Sequence, residues 1–219
     1  IRSFVIRGGR MTEAQQAAFD QWWPVYGCSL FDGDKALGDF LKPEQPLVVE
    51  VGFGMGDSLL EMAIASPEVQ FVGIEVHPPG VGRLINEAGK AQLTNLKVFM
   101  ADANDVLADC FAEGSIDRFQ LYFPDPWHKK KHHKRRIVQP EFVQLIASRL
   151  KAGGHLHMAT DWENYAEYMS EVMQEQQNYA NTASDGLYVE RPEFRPVTKF
   201  EKRGARLGHG VWDLLYKRV

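Results

Sequence analysis

The stretch FPDPWHKKKHHKRR, residues 123–136, puts a single aspartate in front of a dense run of basic residues. Asp125 lies between two prolines, which restrict its backbone and so fix the direction of its side chain. Nine consecutive lysine, arginine and histidine residues follow Trp127. A carboxylate can bind the N–H donors of a nucleobase edge, whereas cations hold phosphates without reading sequence. The stretch therefore predicts a nucleic-acid site in which Asp125 selects the base, unless the cations form only a solvated face.

Positive charge is concentrated in this one stretch. The chain has 25 lysine and arginine residues against 29 acids, and six of those cations lie between 129 and 136. The other 19 cations stand against all 29 acids, so the rest of the chain has a net charge of -10. This contrast predicts that a polyanion docks at one place. Further cations could extend the patch: Arg191, Arg195, Lys199, Lys202, Arg203 and Arg206.

A glycine-rich turn, GFGMG at 52–56, follows the apolar run LVVEV at 47–51. Its spacing is G-x-G-x-G, and Asp57 stands where the dinucleotide fingerprint has its third glycine. An acidic side chain at that position would repel a pyrophosphate, so the turn favours a nucleoside without phosphates over NAD. Glu75 follows Gly56 by 19 residues, which suits it to bind both ribose hydroxyls.

S-adenosylmethionine fits these residues, because it is a nucleoside that carries a sulfonium and an ammonium. Glu50 suits its amino group, Asp102 suits the adenine amino group, and Gly52 allows close backbone approach. The competing interpretation is a tight β-to-α connection that binds nothing. Open α/β sheets bind ligands beyond the carboxyl ends of their strands, and each of five predicted strands ends on an acid. These acids are Glu50, Glu75, Asp102, Asp125 and Asp161.

The elements that position these residues alternate between strands and helices. Short β-rich runs predict strands at 47–51, 71–76, 96–102, 119–123 and 155–161, with helical patterns between them. The alternation predicts an α/β fold with a doubly wound, mostly parallel sheet. Upstream, a helix is expected at 11–23, capped by Thr12 and ended by Pro24, followed by an irregular segment. Near the C-terminus, 187–190 and 211–219 are expected to pair as antiparallel strands at the sheet edge.

Composition bounds the class of protein. A chain of 219 residues is expected to form one domain, with 1–45 as an N-terminal helix and irregular segment and 46–219 as the core. No run approaches a membrane span or the apolar stretch of a signal peptide, so we expect a cytoplasmic protein without a membrane partner. Cys28 and Cys110 are too few for a disulfide framework, and the lysines around the histidines of the basic run disfavour a metal. The sequence leaves monomer and homodimer open.

Five segments together are similar to a known family: VVEVGFGMG, GIEVH, FPDPWHKKKHHKRR, ATDW and TKFE, in that order. With the opening IRSFVIRGGRMTEAQ, they resemble the bacterial tRNA (guanine-N7-)-methyltransferases over nearly the whole chain. FPDPWHKK and TKFE are the most specific of these segments. The resemblance implies a class I methyltransferase fold, Rossmann-like, with a seven-stranded sheet and one antiparallel edge strand. It also implies S-adenosylmethionine as cofactor, tRNA as partner, and guanine 46 of the variable loop as the methyl acceptor.

The resemblance also implies roles for individual residues. The family's cofactor contacts fall on Glu50, Glu75, Asp102 and Asp125, and its catalytic residue falls on Asp125. Its guanosine contacts fall on Lys129, Asp161, Thr198, Lys199, Phe200 and Glu201. Its RNA-binding segment falls on Lys131, His132, His133, Lys134, Arg135 and Arg136.

Methyl transfer to guanine N7 needs no general base, because N7 carries a lone pair and no hydrogen. Asp125, with Asp161 as the second candidate, can accept hydrogen bonds from guanine N1–H and N2–H, which excludes adenine and stabilises the cationic product. Trp127 could stack on the base or brace the loop. Two other functions stay open: a noncatalytic RNA-binding protein on a methyltransferase-like fold, and an NAD-dependent oxidoreductase.

Overall fold

The structure, a computed structural model, describes residues 2–4, 11–198, 201 and 210–219. Within these ranges a single sheet has eight strands. They are β1 (Gly27–Cys28), β2 (Leu47–Val51), β3 (Gln70–Ile74), β4 (Leu96–Phe99), β5 (Ile116–Tyr122), β6 (Leu150–Thr160), β7 (Tyr179–Asn181) and β8 (Trp212–Arg218). Their order is β1-β4-β3-β2-β5-β6-β8-β7, and β8 runs antiparallel to both of its neighbours. The remaining pairs are parallel, as the predicted α/β fold requires.

The helices cover both faces of this sheet. They are α1 (Glu13–Tyr26), α2 (Asp57–Ala65), α3 (Pro78–Lys90), α4 (Ala103–Cys110), α5 (Pro140–Arg149) and α6 (Glu163–Gln174), with 3₁₀ helices η1 (Leu30–Lys35), η2 (Gly38–Phe40) and η3 (Lys130–Arg135). Side chains alternate across a strand, so Val49 and Val51 of β2 pack in the core under α4, α5 and α6. Val48 packs in the opposite core, with α1, α2 and α3. Glu50 shares the face of Val48 by the same alternation.

The first helix begins as predicted and ends later than predicted. The Thr12 hydroxyl accepts a hydrogen bond from the Gln15 backbone, and the Gln15 side chain accepts one from the Thr12 backbone, which makes a complete capping box. The expectation that Pro24 ends the helix was wrong, since α1 continues to Tyr26. Burial of Tyr26 in the core with α3 accounts for the extra turn.

The strand count and the C-terminal pairing also differ from expectation. The extra strand, β1, lies in a segment expected to be irregular and pairs with β4 through Gly27 and Cys28. The expected strand at 187–190 contributes only an isolated bridge between Val189 and Asp213. The edge of β8 is instead taken by β7, which follows α6 closely and pairs with 216–218. Within the described residues, no helix is long and apolar enough to cross a membrane.

Candidate active site and RNA interface

The glycine turn after β2 leaves space on one side and packs tightly on the other. Gly52, Gly54 and Gly56 have φ angles of +73°, +57° and +77°, which L side chains rarely adopt. A Cβ atom added to Gly52 or Gly54 would meet nothing within 4 Å, whereas one on Gly56 would lie 2.8 Å from Leu84. The first two glycines therefore border open space, and the third allows α3 to pack against the turn.

Two side chains hold this turn in place. The Glu75 carboxylate accepts the Gly54 N–H at 2.9 Å and also the N–H groups of Val76 and His77, at 2.6 and 3.1 Å. Arg83 donates to the Met55 carbonyl oxygen and forms a 2.6 Å ion pair with Asp57. This ion pair offsets the charge of Asp57. Asp57 would therefore repel a pyrophosphate less strongly than expected from the sequence, which weakens that reason for excluding NAD.

A cavity of about 340 Å³ lies at the carboxyl ends of β2, β3, β4 and β5. This volume is at the lower end of the roughly 300–1,000 Å³ usual for small-molecule sites. Four of the five predicted cofactor residues line it: Gly52, Glu75, Asp102 and Asp125. Asp102 also caps α4, where its carboxylate accepts the Asn104 N–H at 3.0 Å. Three of the five strand-end acids, Glu75, Asp102 and Asp125, therefore converge as expected for a doubly wound sheet, whereas Glu50 and Asp161 do not line the cavity.

Glu50, the fifth predicted cofactor residue, is not among the residues that line this cavity. Its side chain is on the Val48 face of the sheet and is only 3% exposed. Desolvation raises its pKa to about 8, an effect that Arg118 opposes and the negative charge of Glu75 reinforces. Glu50 is therefore mostly protonated at pH 7, whereas binding of an amino group, the role expected from the sequence, favours an ionised carboxylate.

The loop that carries Asp125 is strained and tied down. Phe123 and Trp127 have φ angles of +51° and +45°, which non-glycine residues adopt at a cost of about 1 kcal/mol or more. The Asp125 carboxylate accepts the Trp127 N–H at 3.0 Å. The Trp127 indole N–H donates to the Ser3 carbonyl oxygen at 3.1 Å, and Ser3 and Phe4 also line the cavity. In this structure Trp127 braces the loop, which was one of its two expected roles.

Arg136 closes the loop from inside the fold. It is 2% exposed, and its guanidinium donates to the Pro126 carbonyl oxygen and the Asn164 side chain, each at 2.9 Å. It also lies over the rings of Tyr165 and Tyr168, 4.7 and 5.0 Å from their centroids. The expectation that Arg136 belongs to the RNA-binding cations does not fit this burial, because no face of the guanidinium is left for a phosphate.

The other residues of the basic run form an outward-facing segment around η3. Lys129, Lys131 and Lys134 are exposed, and Arg135 lies over the Trp127 ring at 5.1 Å. Desolvation, together with Lys131 and Arg135, lowers the pKa of His132, which therefore adds little positive charge at neutral pH. The surface available to a polyanion thus consists mainly of lysines, with His133 and Arg135 at its inner edge.

The predicted guanosine contacts fall on two elements near this loop. Asp161 is exposed directly after β6, and the neighbouring Trp162 ring contacts His128 at 4.3 Å between centroids. Thr198 and Glu201 bind each other: the Thr198 N–H donates to the Glu201 carboxylate at 2.7 Å and the Glu201 N–H to the Thr198 hydroxyl at 3.2 Å. Lys199 and Phe200, like Lys202, Arg203 and Arg206 of the expected basic extension, lie outside the described residues.

Two buried polar residues near Glu201, His157 and Asp213, were not singled out from the sequence, and a third, Arg195, was expected in a different role. Arg195 was expected to extend the basic surface, yet it is 0% exposed and paired with Glu201 and Asp213. His157 and Asp213 lie inside the buried strands β6 and β8. A polar residue that interrupts an apolar run was the sequence signal that could have identified them. No group of three or more histidine, cysteine or acidic residues in the described ranges could hold a metal ion.

The sheet order and the glycine turn at the end of β2 are those of the class I, Rossmann-like methyltransferase fold. The aminoglycoside resistance methyltransferase NpmB1 has the same fold, with a TM-score of 0.57 at 14% identity over 85% of this chain and 93% of that one. The 16S rRNA methyltransferase KamB also gives a TM-score of 0.57, at 16% identity over 97% of this chain and 98% of that one. These similarities concern the fold alone.

Sequence comparison identifies the family. Residues 44–214 match the family model described as "Putative methyltransferase". A tRNA (guanine-N(7)-)-methyltransferase of Saccharophagus degradans is 64% identical, covering 100% of this chain and 95% of that relative. One from Chromohalobacter salexigens is 59% identical, covering 100% and 90%. The chain belongs to the tRNA (guanine-N(7)-)-methyltransferase family. The resemblance and the fold class predicted from the sequence are confirmed.

Proposed function

We propose that this protein transfers a methyl group from S-adenosylmethionine to N7 of a guanine in tRNA, with guanine 46 of the variable loop as the target. Sequence identity of 64% and 59% to two tRNA (guanine-N(7)-)-methyltransferases, over 100% of this chain, supports the reaction class. One structural observation carries the proposal for the site. Asp125 lines the same cavity as Gly52, Glu75 and Asp102, and it stands at the root of the loop that bears the exposed lysines.

The cavity fits S-adenosylmethionine, because the space above Gly52 is open and acids border it on three strands. Glu75 would hold the ribose hydroxyls, for which its carboxylate is already oriented by three backbone N–H groups. Asp102 would accept the adenine amino group. Glu50 would act from behind the glycine turn, as a buried acid that can ionise when a cation arrives. When bound, S-adenosylmethionine supplies an electrophilic methyl group.

The residues around the acceptor guanine select and orient it. Asp125 and Asp161 would accept hydrogen bonds from guanine N1–H and N2–H, so that the N7 edge faces the cavity. Adenine lacks this pair of donors and would bind less well. No group has to remove a proton before attack, since N7 has none. The same carboxylates would stabilise the positive charge of the methylated purine. Further contacts to the nucleotide would come from Lys129, Thr198, Lys199, Phe200 and Glu201.

Phosphates beside the target guanine would be bound by the exposed part of the basic run. Lys131, Lys134 and Arg135 are among the cations that remain accessible, and His132 and His133 would add hydrogen bonds. Arg136 would support these contacts by fixing the loop.

We further propose that 1–219 is one methyltransferase domain, because β1 joins the N-terminal segment to the sheet through β4. Action on tRNA implies a cytoplasmic location.

A methylation assay with mapped products tests this function. The protein is incubated with methyl-labelled S-adenosylmethionine and an unmodified tRNA transcript, and the modified position is located by aniline cleavage of N7-methylguanosine. We expect label at guanine 46 and none in a transcript with adenine at that position. Binding of tRNA without any transfer would instead indicate a noncatalytic RNA-binding protein. Tight binding of NAD without binding of S-adenosylmethionine would indicate an oxidoreductase.

A further inference from the structure

A row of buried polar side chains crosses the Val48 face of the sheet, away from the cofactor cavity. The Tyr122 hydroxyl on β5 bonds to Nδ1 of His157 on β6 at 2.9 Å. Nε2 of the same histidine bonds to the Asp213 carboxylate on β8 at 2.7 Å. Desolvation lowers the pKa of His157, so the ring is neutral at pH 7, accepting from Tyr122 and donating to Asp213. The row therefore fixes the direction in which Asp213 points.

Arg195 ends this row and joins it to the segment that contains Thr198. Its Nε and Nη2 atoms donate to the two oxygens of Asp213, each at 2.8 Å. Its Nη1 and Nη2 atoms donate to the two oxygens of Glu201, at 2.7 and 2.8 Å. A guanidinium is planar and has five donors in a fixed arrangement, so it can serve two carboxylates at once in a way that an ammonium cannot.

Burial makes this arrangement rigid. Arg195 is 0% exposed, and Glu201 and Asp213 are 9% and 3% exposed. Desolvation opposes ionisation of Arg195 and Asp213, but hydrogen bonds outweigh it. Those from Arg195 to Glu201 and Asp213 raise the pKa of Arg195, and those from His157 and Arg195 lower the pKa of Asp213. Arg195 and Asp213 are thus held as ions, and either would be left as an unpaired buried charge if the other were removed.

The Glu201 carboxylate is occupied by these contacts. Both of its oxygens accept from Arg195, and one also accepts the Thr198 N–H at 2.7 Å. This favours Glu201 as an anchor, which holds Thr198 in place through their two hydrogen bonds. Arg195 also reaches the loop of Asp125, since its guanidinium lies 5.7 Å from the centroid of the Phe123 ring.

We propose that Arg195 is a positioning residue for guanine recognition, which holds Thr198 and Glu201 in a fixed position relative to the Phe123 end of the Asp125 loop. Tyr122, His157 and Asp213 orient Arg195 from the sheet. The proposal rests on the proposed function, because it assigns this segment to the acceptor guanine. Arg195 itself touches neither the cofactor cavity nor the reacting atoms.

The test compares Arg195→Lys with Arg149→Lys. Arg149 is a suitable control because it is also largely buried and donates to two backbone carbonyls, those of Leu107 and Ala108 in the second half of α4. For each variant we measure kcat and KM for tRNA well below its melting temperature, and the Kd of S-adenosylhomocysteine by calorimetry. Displacement of a positioning group by about 1 Å can reduce a rate by up to about 100-fold.

We expect Arg195→Lys to lower kcat/KM for tRNA by at least about 10-fold while the Kd of S-adenosylhomocysteine stays within about 2-fold. Arg149→Lys should leave both within about 2-fold of the wild type. The proposal is overturned if Arg195→Lys methylates tRNA as well as Arg149→Lys does. It is equally overturned if cofactor affinity falls in parallel with activity, since that pattern indicates general loosening of the fold.

A second variant decides the matter if Arg195→Lys does not fold. Asp213→Asn keeps the shape of the side chain and weakens one half of the Arg195 contacts without touching Glu201. We expect a smaller loss of kcat/KM for tRNA, about 3-fold to 10-fold, again with unchanged cofactor affinity. Wild-type kinetics in folded Asp213→Asn would contradict the proposal. Absence of transfer to tRNA by the wild-type chain would refute the proposed function itself, and this inference with it.

Discussion

Replacing Glu50 by glutamine should change how the stability of the protein depends on pH. The folded pKa of Glu50 is about 8, raised from an ordinary value of 4.5 mainly by desolvation. Between these two values the folded state retains a proton that the unfolded state releases. The free energy of unfolding of the wild type therefore falls as pH rises from about 4.5 to about 8, and the loss from this group is complete above its folded pKa.

The slope attributable to Glu50 is about 1.4 kcal/mol per pH unit inside that window. Between pH 6 and pH 8 the variant Glu50→Gln should therefore gain up to about 3 kcal/mol relative to the wild type. The measurement is urea unfolding of both proteins at several pH values without cofactor, read as the difference in unfolding free energy. Titration of histidines contributes equally to both proteins and cancels in the difference.

Glu61→Gln provides the matched control, because Glu61 lies on the exposed side of α2 and undergoes the same chemical change. Glu61→Gln should not reproduce the gain in unfolding free energy expected of Glu50→Gln, because that gain comes from the buried position of Glu50. A flat difference for Glu50→Gln, or one that shrinks as pH rises, would refute the assignment of Glu50 as a buried, protonated acid.

Three further predictions concern the site. Asp125→Asn should reduce transfer at least about 100-fold and leave the melting temperature within a few degrees, because the side chain is exposed; near-normal transfer would contradict its role. Replacing four accessible cations, Lys129, Lys131, Lys134 and Arg135, together by alanine should weaken tRNA binding and lower the salt-dependence slope by up to about 4, whereas an unchanged slope would show that they do not touch phosphates. Arg136→Ala should instead destabilise the protein by about 2 kcal/mol in urea unfolding, because it leaves the Pro126 carbonyl without its partner, and a merely weakened RNA affinity at unchanged stability would count against its structural role.

The fold was predictable from sequence because its signals are local. Alternation of short apolar runs with helical patterns predicts the parallel sheet, and the acids at the strand ends identify its functional edge. β1 was missed because two residues carry no periodicity, and Tyr26 kept α1 helical past Pro24. Two short segments, 179–181 and 187–190, precede β8, and the sequence does not indicate which of them pairs with it. In the structure β7 forms this edge strand.

The candidate site was predictable in type but not in side-chain environment. Glycines with positive φ and carboxylates at strand ends follow from the sequence, and Gly52, Glu75, Asp102 and Asp125 do converge. Burial was the quantity that sequence could not supply. Arg135 and Arg136 are adjacent and chemically identical, yet only Arg136 is enclosed by Tyr165 and Tyr168. Arg195 similarly looked like a surface cation and is the centre of a buried network.

The most direct test of the account is a crystal structure of the protein with S-adenosylhomocysteine. We predict that the ligand occupies the cavity beyond β2–β5, with its ribose hydroxyls on Glu75, its adenine amino group on Asp102, and Asp125 in contact with its sulfur end. A ligand bound anywhere else, or an Asp125 carboxylate that cannot reach the ligand and an adjacent purine, would contradict it.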